Sequence, residues 1–268
     1  MGAYVYAQQV VVLMYHRVGI AQNAWEQKYC VSPERFASQM STLAKRGMNA
    51  VEIHDFIAWL EGEKELPEGS FLITFDDGFR GVLDYALPVL EQRRWPATVF
   101  LVSDLIGKQD EWTRPVNPDG ATYPLLNTEE IRDMAGRGMT FHSHTRTHAS
   151  LPTLDDIGLA DELAGSRATL RDLFGYKSEY LAYPFGHLDA RVEQATHSAG
   201  YRAAFSTQPG FNRRDVNRFR IRRLDVFGTD SPAMLLRKIK FGSNDGSVNG
   251  MARYYWNRFS MRFGAPSL

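Results

Sequence analysis

A short apolar strand that ends in two adjacent carboxylates is the feature that most constrains this chain. Residues 71–75, Phe-Leu-Ile-Thr-Phe, have the length and the apolar, β-branched composition of a buried strand. Asp76, Asp77 and Gly78 follow directly, and the glycine allows a sharp turn. Two carboxylates at the end of a buried strand cost free energy unless a cation or a proton lies between them. The sequence therefore predicts a catalytic or metal-binding role for Asp76 and Asp77.

A second Asp-Asp pair provides a comparison within the same chain. Asp155 and Asp156 follow Thr153, where we expect a long helix to start, with a buried stripe of Ile157, Leu163, Leu170 and Leu173 at helical spacing. Acidic residues in the first turn of a helix complement its dipole. This pair is therefore predicted to be structural.

The rest of the chain alternates strand-length apolar segments with helical patterns. The strand-length segments are residues 10–15, 48–53, 71–75, 97–102, 139–143, 180–183, 201–205 and 224–227. Two helix starts are indicated by their caps. Ser32 is an N-cap followed by Pro33 in the first turn, and Asn127 is an N-cap with Glu130 three residues later. Apolar strands joined by helices are typical of a parallel sheet, and seven or eight such units predict an α/β barrel.

Composition and charge narrow the class of protein. The chain has 268 residues, 44% of them hydrophobic, and 31 basic residues balance 31 acidic ones, so nothing indicates nucleic-acid binding. The single cysteine excludes an internal disulfide, and no apolar run is long enough for a transmembrane helix. No signal peptide is visible at the N-terminus, so the expected location is the cytoplasm. The oligomeric state stays open.

Two histidines follow one of the predicted strands. His144 and His148 are four residues apart, and one turn of helix would place both rings on the same face, within reach of one ion. A carboxylate from another strand would complete a His₂-carboxylate set of the kind that leaves a catalytic metal open to water. The alternative is a pair of exposed loop histidines. His142 is interpreted as a core histidine or a supporting one rather than a third ligand.

The polar or special residues that follow strands should meet at one edge of the sheet. His16, Asp76, Asp77, His144 and Pro184 each come directly after a predicted strand. In a parallel barrel, catalytic residues gather at the carboxyl ends of the strands. We therefore expect these five residues to lie around one site.

Two segments resemble signature motifs of a known family. Residues 74–78, Thr-Phe-Asp-Asp-Gly, and residues 143–151, Ser-His-Thr-Arg-Thr-His-Ala-Ser-Leu, are similar in order and spacing to the first two motifs of the polysaccharide deacetylases. These are the carbohydrate esterase family 4, or NodB-homology, enzymes. The resemblance implies a distorted or incomplete TIM-like (β/α)7–8 barrel over residues 8–245. It also implies metal-dependent removal of acetyl groups from an N-acetylated polysaccharide, oligosaccharide or glycan precursor.

The same resemblance implies roles for individual residues. Asp77, His144 and His148 would bind a divalent metal, and Asp76 would be the general base for the water that the metal activates. A ligated carboxylate has its charge committed to the ion, whereas its free neighbour keeps a lone pair for a proton. Zn²⁺ is the expected ion, although Co²⁺, Ni²⁺ and Fe²⁺ suit the same donors.

The third motif departs from the common pattern. Residues 181–186 read Leu-Ala-Tyr-Pro-Phe-Gly, where many members carry an arginine before the proline and a tyrosine after it. The backbone N–H of Phe185 can still donate to an oxyanion. Because the arginine is missing, another residue must orient Asp76. Arg223 is our candidate, and the alternative is that it is a surface arginine in the basic run 218–223.

The last family motif, a Leu-x-His near the C-terminus, is absent because no histidine follows His197. Residues 13–18, Leu-Met-Tyr-His-Arg-Val, instead resemble the N-terminal segment of the poly-N-acetylglucosamine deacetylase subgroup. This resemblance makes His16 the expected general acid, because histidine titrates in the range needed to protonate a leaving amine. The alternative is a structural role for His16.

Some features and alternatives stay outside this scheme. His54, His187 and His197 are predicted to have no catalytic role. The tail, residues 246–268, mixes arginines with aromatic residues, which favours a helix packed on the barrel or, alternatively, one lying on a membrane surface or a partner. Alternative functions are hydrolysis of another C–N bond, such as a formamide or cyclic imide, and metal-free sugar binding.

Overall fold

The computed structural model describes residues 8–175 and 178–250, which contain one large parallel sheet. Its strands are β1 (Val11–Tyr15), β4 (Asn49–Ala50), β5 (Ser70–Phe75), β6 (Ala97–Leu101), β7 (Met139–Ser143), β8 (Tyr180–Ala182), β9 (Ala203–Phe205) and β10 (Leu224–Asp225), while β2 (Arg17–Val18) and β3 (Cys30–Val31) pair separately. The order is β10-β1-β5-β6-β7-β8-β9, with β4 beside the start of β5. Within the described ranges no ladder joins β9 to β10, so the barrel is open. The predicted incomplete α/β barrel is confirmed.

Helices connect the strands as the sequence indicates. They are α1 (Pro33–Lys45), α2 (Ile53–Leu60), α3 (Leu87–Glu91), α4 (Thr128–Ala135), α5 (Asp156–Ala160), α6 (Ser166–Phe174), α7 (Ala190–Ser198) and α8 (Pro232–Phe241). Two π-helical segments, Val82–Ala86 and Asp161–Gly165, precede α3 and α6, and short 3₁₀ turns lie at Glu26–Lys28, Ser103–Leu105, Glu111–Thr113, Leu151–Thr153 and Pro184–Gly186. Two predicted helix starts are confirmed: Ser32 caps α1, and Asn127 and Glu130 form a reciprocal capping box at α4.

One predicted helix start is wrong. Thr153 ends a 3₁₀ turn, and α5 begins three residues later, with the Asp155 side chain accepting the N–H of Gly158. Ile157, expected on the buried stripe, is 81% exposed. The later start and the π-helical turn at Asp161–Gly165 change the phase of the helix, so the first turn of α5 faces solvent.

Alternating side chains divide the core between the two faces of the sheet. On β1, Val11, Leu13 and Tyr15 belong to a cluster that includes residues of α1 and α8. Val12 belongs to the other cluster, to which α2 contributes five side chains, Ile53, Phe56, Ile57, Trp59 and Leu60. Because both faces are covered, all strands of the sheet except the short β4 are mostly buried, as expected for a parallel sheet.

Residues 251–268, and with them the basic and aromatic part of the tail, lie outside the described residues, so its predicted packing stays a prediction. Of the helices in the described residues, none combines the length and the apolar character that crossing a membrane requires.

Candidate active site

A cavity of about 540 Å³ lies at the carboxyl ends of the strands, where the predicted residues were expected to meet. Its walls include five residues of the predicted site: His16, Asp76, Asp77, His144 and His148. Tyr183 and Phe185, the neighbours of Pro184, also line it. The chain therefore brings residues from β1, β5, β7 and β8 to one place.

The turn after β5 aims both carboxylates into this cavity. Asp76 continues the strand, and Asp77 adopts a left-handed conformation with φ 74°. Gly78 follows with φ 81°, and a Cβ there would lie 2.8 Å from Leu101 Cδ2. The turn predicted at Gly78 thus starts one residue earlier, at Asp77. This left-handed residue lets neighbouring side chains face the same cavity.

Asp77, His144 and His148 form a compact donor set. Asp77 Oδ1 lies 3.3 Å from His144 Nε2 and 3.2 Å from His148 Nε2, and one donor atom from each residue lies within 4.8 Å of the others. All three residues are buried. The predicted pairing of two imidazoles with a carboxylate from another strand is therefore present in the geometry.

The local structure that brings the two histidines together differs from the prediction. The segment from His144 to His148 is a loop, not a helical turn. Thr145 and His148 have φ values of 67° and 66°, and these two left-handed residues turn the chain so that both rings face Asp77. The residues were identified for an incorrect geometric reason.

The donor set fits a divalent metal. Asp77 Oδ1 is buried, and within the described part of the chain no group forms a hydrogen bond of acceptable geometry with it. His144 Nδ1 lies 2.8 Å from the carbonyl oxygen of Ala182, which fixes the tautomer that leaves Nε2 free to bind. Two histidines and a carboxylate, with further coordination positions open, are the donors of many catalytic metal sites.

Protonation in the cluster agrees with cation binding. Burial raises the pKa of Asp77, but His144 and His148 outweigh this effect and hold that pKa well below its ordinary value. Burial lowers the pKa of His148, so its ring is neutral, as a metal ligand must be. Burial also lowers the pKa of His144, but the charges of Asp76 and Asp77 raise it overall. A proton and a metal ion would therefore compete for His144.

Arg223 holds Asp76 through two hydrogen bonds. Arg223 Nη1 and Nη2 donate to the two carboxylate oxygens over 2.6 and 2.8 Å, and Nε donates to the carbonyl of Ser206 over 3.0 Å. Arg223 is fully buried, which excludes the alternative of a surface arginine. Burial would raise the pKa of Asp76, but Arg223 reverses this and lowers it. The candidate orienting residue thus contacts Asp76 directly.

His16 lies at the end of β1, beside an acidic residue that sequence reasoning missed. Asp225 ends β10, where it pairs in register with Met14, two residues before His16. Both His16 and Asp225 line the cavity. Burial raises the pKa of Asp225. Asn244 Nδ2 donates to its carboxylate over 2.5 Å. The available signal was an acidic residue inside the predicted strand 224–227, because the strand in the structure ends at Asp225.

Aromatic rings surround His148. Trp112 stacks on its imidazole with centroids 4.5 Å apart, and Phe185 meets it edge-on at 4.6 Å. Trp112 belongs to the segment 107–124, which forms a wall of the cavity. Tyr123 ties this segment to the buried Glu26 with a 2.6 Å hydrogen bond. The rings of Trp112 and Phe185 thus place apolar surface beside the charged donor set.

The other histidines lie away from the donor set. His142 is buried against His54 and Tyr180, and neither of its ring nitrogens has a hydrogen-bond partner among the described residues. Its core placement fits the first of the two interpretations. His187 Nδ1 lies 3.0 Å from Ser150 Oγ on the surface, and His197 lies in α7.

Comparison with known proteins agrees with this geometry. The sequence profile of the polysaccharide deacetylase family matches residues 63–204. A poly-β-1,6-N-acetyl-D-glucosamine N-deacetylase of Staphylococcus epidermidis is 26% identical over 207 residues, which are 74% of this chain and 68% of that protein.

Solved structures share the fold. The structure of IcaB from Ammonifex degensii has a TM-score of 0.68 at 26% identity and covers 81% of this chain and 91% of its own. The Streptococcus pyogenes deacetylase PplD, solved with acetate, has a TM-score of 0.74 at 19% identity, over 86% of this chain and 97% of its own. The profile match spans more than half of the sequence and includes both aspartates and both histidines of the site. This chain therefore belongs to the polysaccharide deacetylase family.

Proposed function

We propose that this protein is a metal-dependent carbohydrate N-deacetylase that hydrolyses the acetamide group of an N-acetylated sugar to an amine and acetate. The observation that carries the proposal is that the Asp77, His144 and His148 donor set shares one cavity with Asp76, which Arg223 holds by hydrogen bonds. The staphylococcal relative acts, by its name, on poly-β-1,6-N-acetyl-D-glucosamine. A glycan that contains N-acetylglucosamine is accordingly our proposed substrate class.

Asp77, His144 and His148 would hold the metal, and Zn²⁺ is the ion that we propose. When bound, it would lower the pKa of water and polarise the acetyl carbonyl as a Lewis acid. The chain contributes a fixed His144 tautomer and a buried, ionised Asp77. Both features favour the binding of a cation in this cavity.

Asp76 is proposed as the general base. Because Arg223 lowers its pKa, Asp76 is ionised at neutral pH and able to accept a proton from the attacking water. The two hydrogen bonds from Arg223 fix the plane of the carboxylate and leave its remaining lone pairs for that proton. Arg223 is thus a positioning residue for the base.

His16 is proposed as the general acid on the β1 side of the cavity. As the C–N bond breaks, the electron pair of that bond goes to nitrogen, which must take up a proton. A protonated imidazole at His16 would supply it, and Asp225 lines the same cavity. The backbone N–H of Phe185, beside His148, is the proposed donor to the oxyanion.

The first experiment measures metal in protein purified without added metal. We expect about one equivalent per chain in the wild type and little in His144→Ala, because the variant removes one of three protein ligands. His197→Ala, on the surface of α7, is the matched histidine control and should keep its metal. The wild type should then release acetate from N-acetylglucosamine oligosaccharides. Wild-type protein that stays metal-free after Zn²⁺ is supplied would overturn the proposal.

A further inference from the structure

A buried glutamate accepts three hydrogen bonds from the loop between the two histidines. Glu162 Oε2 accepts the backbone N–H groups of Arg146 and Thr147 over 2.9 and 3.0 Å. Its other oxygen, Oε1, accepts the hydroxyl of Thr147 over 2.6 Å. Glu162 is only 7% exposed. One carboxylate therefore ties down two consecutive backbone groups and a side chain in the segment that carries His144 and His148.

The backbone of this loop is strained, so contacts from outside the loop must stabilise it. Thr145, a β-branched residue, has φ 67°, and His148 has φ 66°. Left-handed conformations of this kind cost free energy and persist only where the surroundings enforce them. The Thr145 N–H donates to Ser143 Oγ over 3.1 Å, which secures the beginning of the loop. Glu162 secures the part that leads to His148.

The helix segment that carries Glu162 is shaped to fit the loop. Glu162 lies in the π-helical turn Asp161–Gly165, between α5 and α6. A Cβ at Gly165 would lie 2.6 Å from Arg146 Cδ, so only glycine allows the Arg146 side chain to lie across this turn. Arg146 also donates to Asp104 over 2.7 Å and pairs with Asp161. The close fit and the carboxylate bonds join the π-helical turn to the histidine loop.

We infer that Glu162 is a positioning residue for the metal site, which holds His144 and His148 in binding geometry before the ion arrives. The inference rests on the proposed function, because it assumes that these histidines bind a metal. Glu162 acts through the backbone at Arg146 and Thr147 and does not touch the donor set itself. Supporting contacts behind a metal site commonly change metal affinity about 10–100-fold.

The test compares Zn²⁺ affinity, measured by chelator competition, in wild-type protein, Glu162→Ala, Glu162→Gln and Asp161→Asn. We expect Zn²⁺ affinity to fall about 10-fold or more in Glu162→Ala. In Glu162→Gln the amide oxygen still accepts both N–H groups and the amide nitrogen donates to Thr147, so most of the affinity should return. Asp161 lies on the same turn, and within the described ranges its carboxylate pairs only with the Arg146 side chain, so Asp161→Asn should bind Zn²⁺ as the wild type does.

The outcomes separate this inference from the proposed function. Wild-type affinity in Glu162→Ala, or an equal loss in Asp161→Asn, would overturn the positioning role while leaving the metal site intact. A lower melting temperature with unchanged Zn²⁺ affinity would likewise make Glu162 a merely stabilising residue. If Glu162→Ala does not fold, Thr147→Val removes one of the three bonds and should weaken Zn²⁺ binding about 2–3-fold. No Zn²⁺ binding by the wild type would overturn the proposed function itself.

Discussion

The chain contains two Asp-Asp pairs, and their surroundings have almost nothing in common. Asp76 and Asp77, at the end of β5, are 2% and 6% exposed. Asp155 and Asp156 begin α5 at the surface, where Asp155 caps the helix and the side chain of Asp156 is 88% exposed. The same dipeptide is thus a candidate catalytic centre in one place and a helix start in the other. What separates them is whether the chain arrives as a buried strand.

Charge compensation differs between the pairs in the same way. Asp76 is paired with a buried guanidinium, and Asp77 faces two imidazoles with an oxygen left for a cation. Asp155 needs only the N–H of Gly158, over 2.8 Å, and Asp156 meets the exposed Arg191. Burial makes the first pair dependent on specific partners, because water is not available to solvate it. Substitutions should therefore affect the two pairs very differently.

The largest difference should appear on replacing one carboxylate in each pair by an amide. Asp76→Asn removes the proposed base and should lower acetate release about 10²–10⁴-fold, with Zn²⁺ still bound through Asp77, His144 and His148. Asp156→Asn should leave turnover unchanged. Rates of acetate release and metal content of both variants test this. Full activity in Asp76→Asn would exclude the base assignment and remove the functional contrast between the pairs.

The next contrast is structural and concerns the partners of the two pairs. Arg223→Met leaves Asp76 buried without its cation and should cost about 3–5 kcal/mol of the free energy of unfolding. Asp156→Ala, which breaks an exposed pair, should cost about 1 kcal/mol or less. Chemical denaturation measures both.

The double variant Arg223→Met with Asp76→Asn provides the control for that prediction. It removes the uncompensated charge, so a large part of the lost stability should return. A double variant no more stable than Arg223→Met would mean that packing around Arg223, and not the charge of Asp76, causes the loss.

Asp110 sharpens the comparison as a buried aspartate whose bonded partners are neutral. It is 1% exposed, and its carboxylate accepts the Thr113 hydroxyl and the Tyr123 N–H. Burial, helped by the charge of Asp77, raises the pKa of Asp110 from 3.8 to about 6. Its proton is therefore held more tightly in the folded state. Stability from Asp110 is present below pH 3.8 and is lost as the pH rises through about 6.

Asp110→Asn removes this loss, since an amide cannot ionise. In metal-free protein, the melting temperature of the variant relative to wild type should rise by a few degrees between pH 4 and pH 7. Thermal unfolding at several pH values measures it. A difference in melting temperature that stays constant across this range would show that ionisation of Asp110 does not destabilise the fold. Burial alone would then not explain why Asp76 is paired with Arg223.

Local sequence patterns were sufficient to find four of the site residues that lie at strand ends, although not Asp225. Asp76, Asp77, His144 and His16 could be identified because a buried strand is readable from its apolar run, and its end is where chemistry gathers in a parallel barrel. The shape of the loops could not be predicted in this way. The loop that contains the left-handed residues Thr145 and His148 is held by hydrogen bonds to Glu162. Glu162 belongs to a separate helical segment, the π-helical turn Asp161–Gly165.

Partners distant in sequence were the hardest part to predict. The pairing of Arg223 with Asp76 joins residues 147 positions apart, and no local pattern distinguishes Arg223 from its neighbours in the basic run 218–223. The prediction that Ile157 is buried was wrong for a local reason. Regular helical spacing was assumed across residues 161–165, where a π-helical turn shifts the phase of the helix. Side-chain pairing and helix irregularity are both decided by tertiary packing, which the spacing of residues does not encode.

The smallest effect on stability should come from loss of the Asp155 helix cap. The same variant tests whether the surface pair influences the metal site. Asp155→Ala removes the acceptor for the Gly158 N–H and should cost about 1 kcal/mol of the free energy of unfolding. The effect of a lost cap is confined to the first turn, whereas Glu162 lies seven positions further along the same helical run. Zn²⁺ affinity should therefore match the wild type in chelator competition. A fall in Zn²⁺ affinity would mean that the start of α5 supports the histidine loop through Glu162, and the surface pair would then belong to the metal site after all.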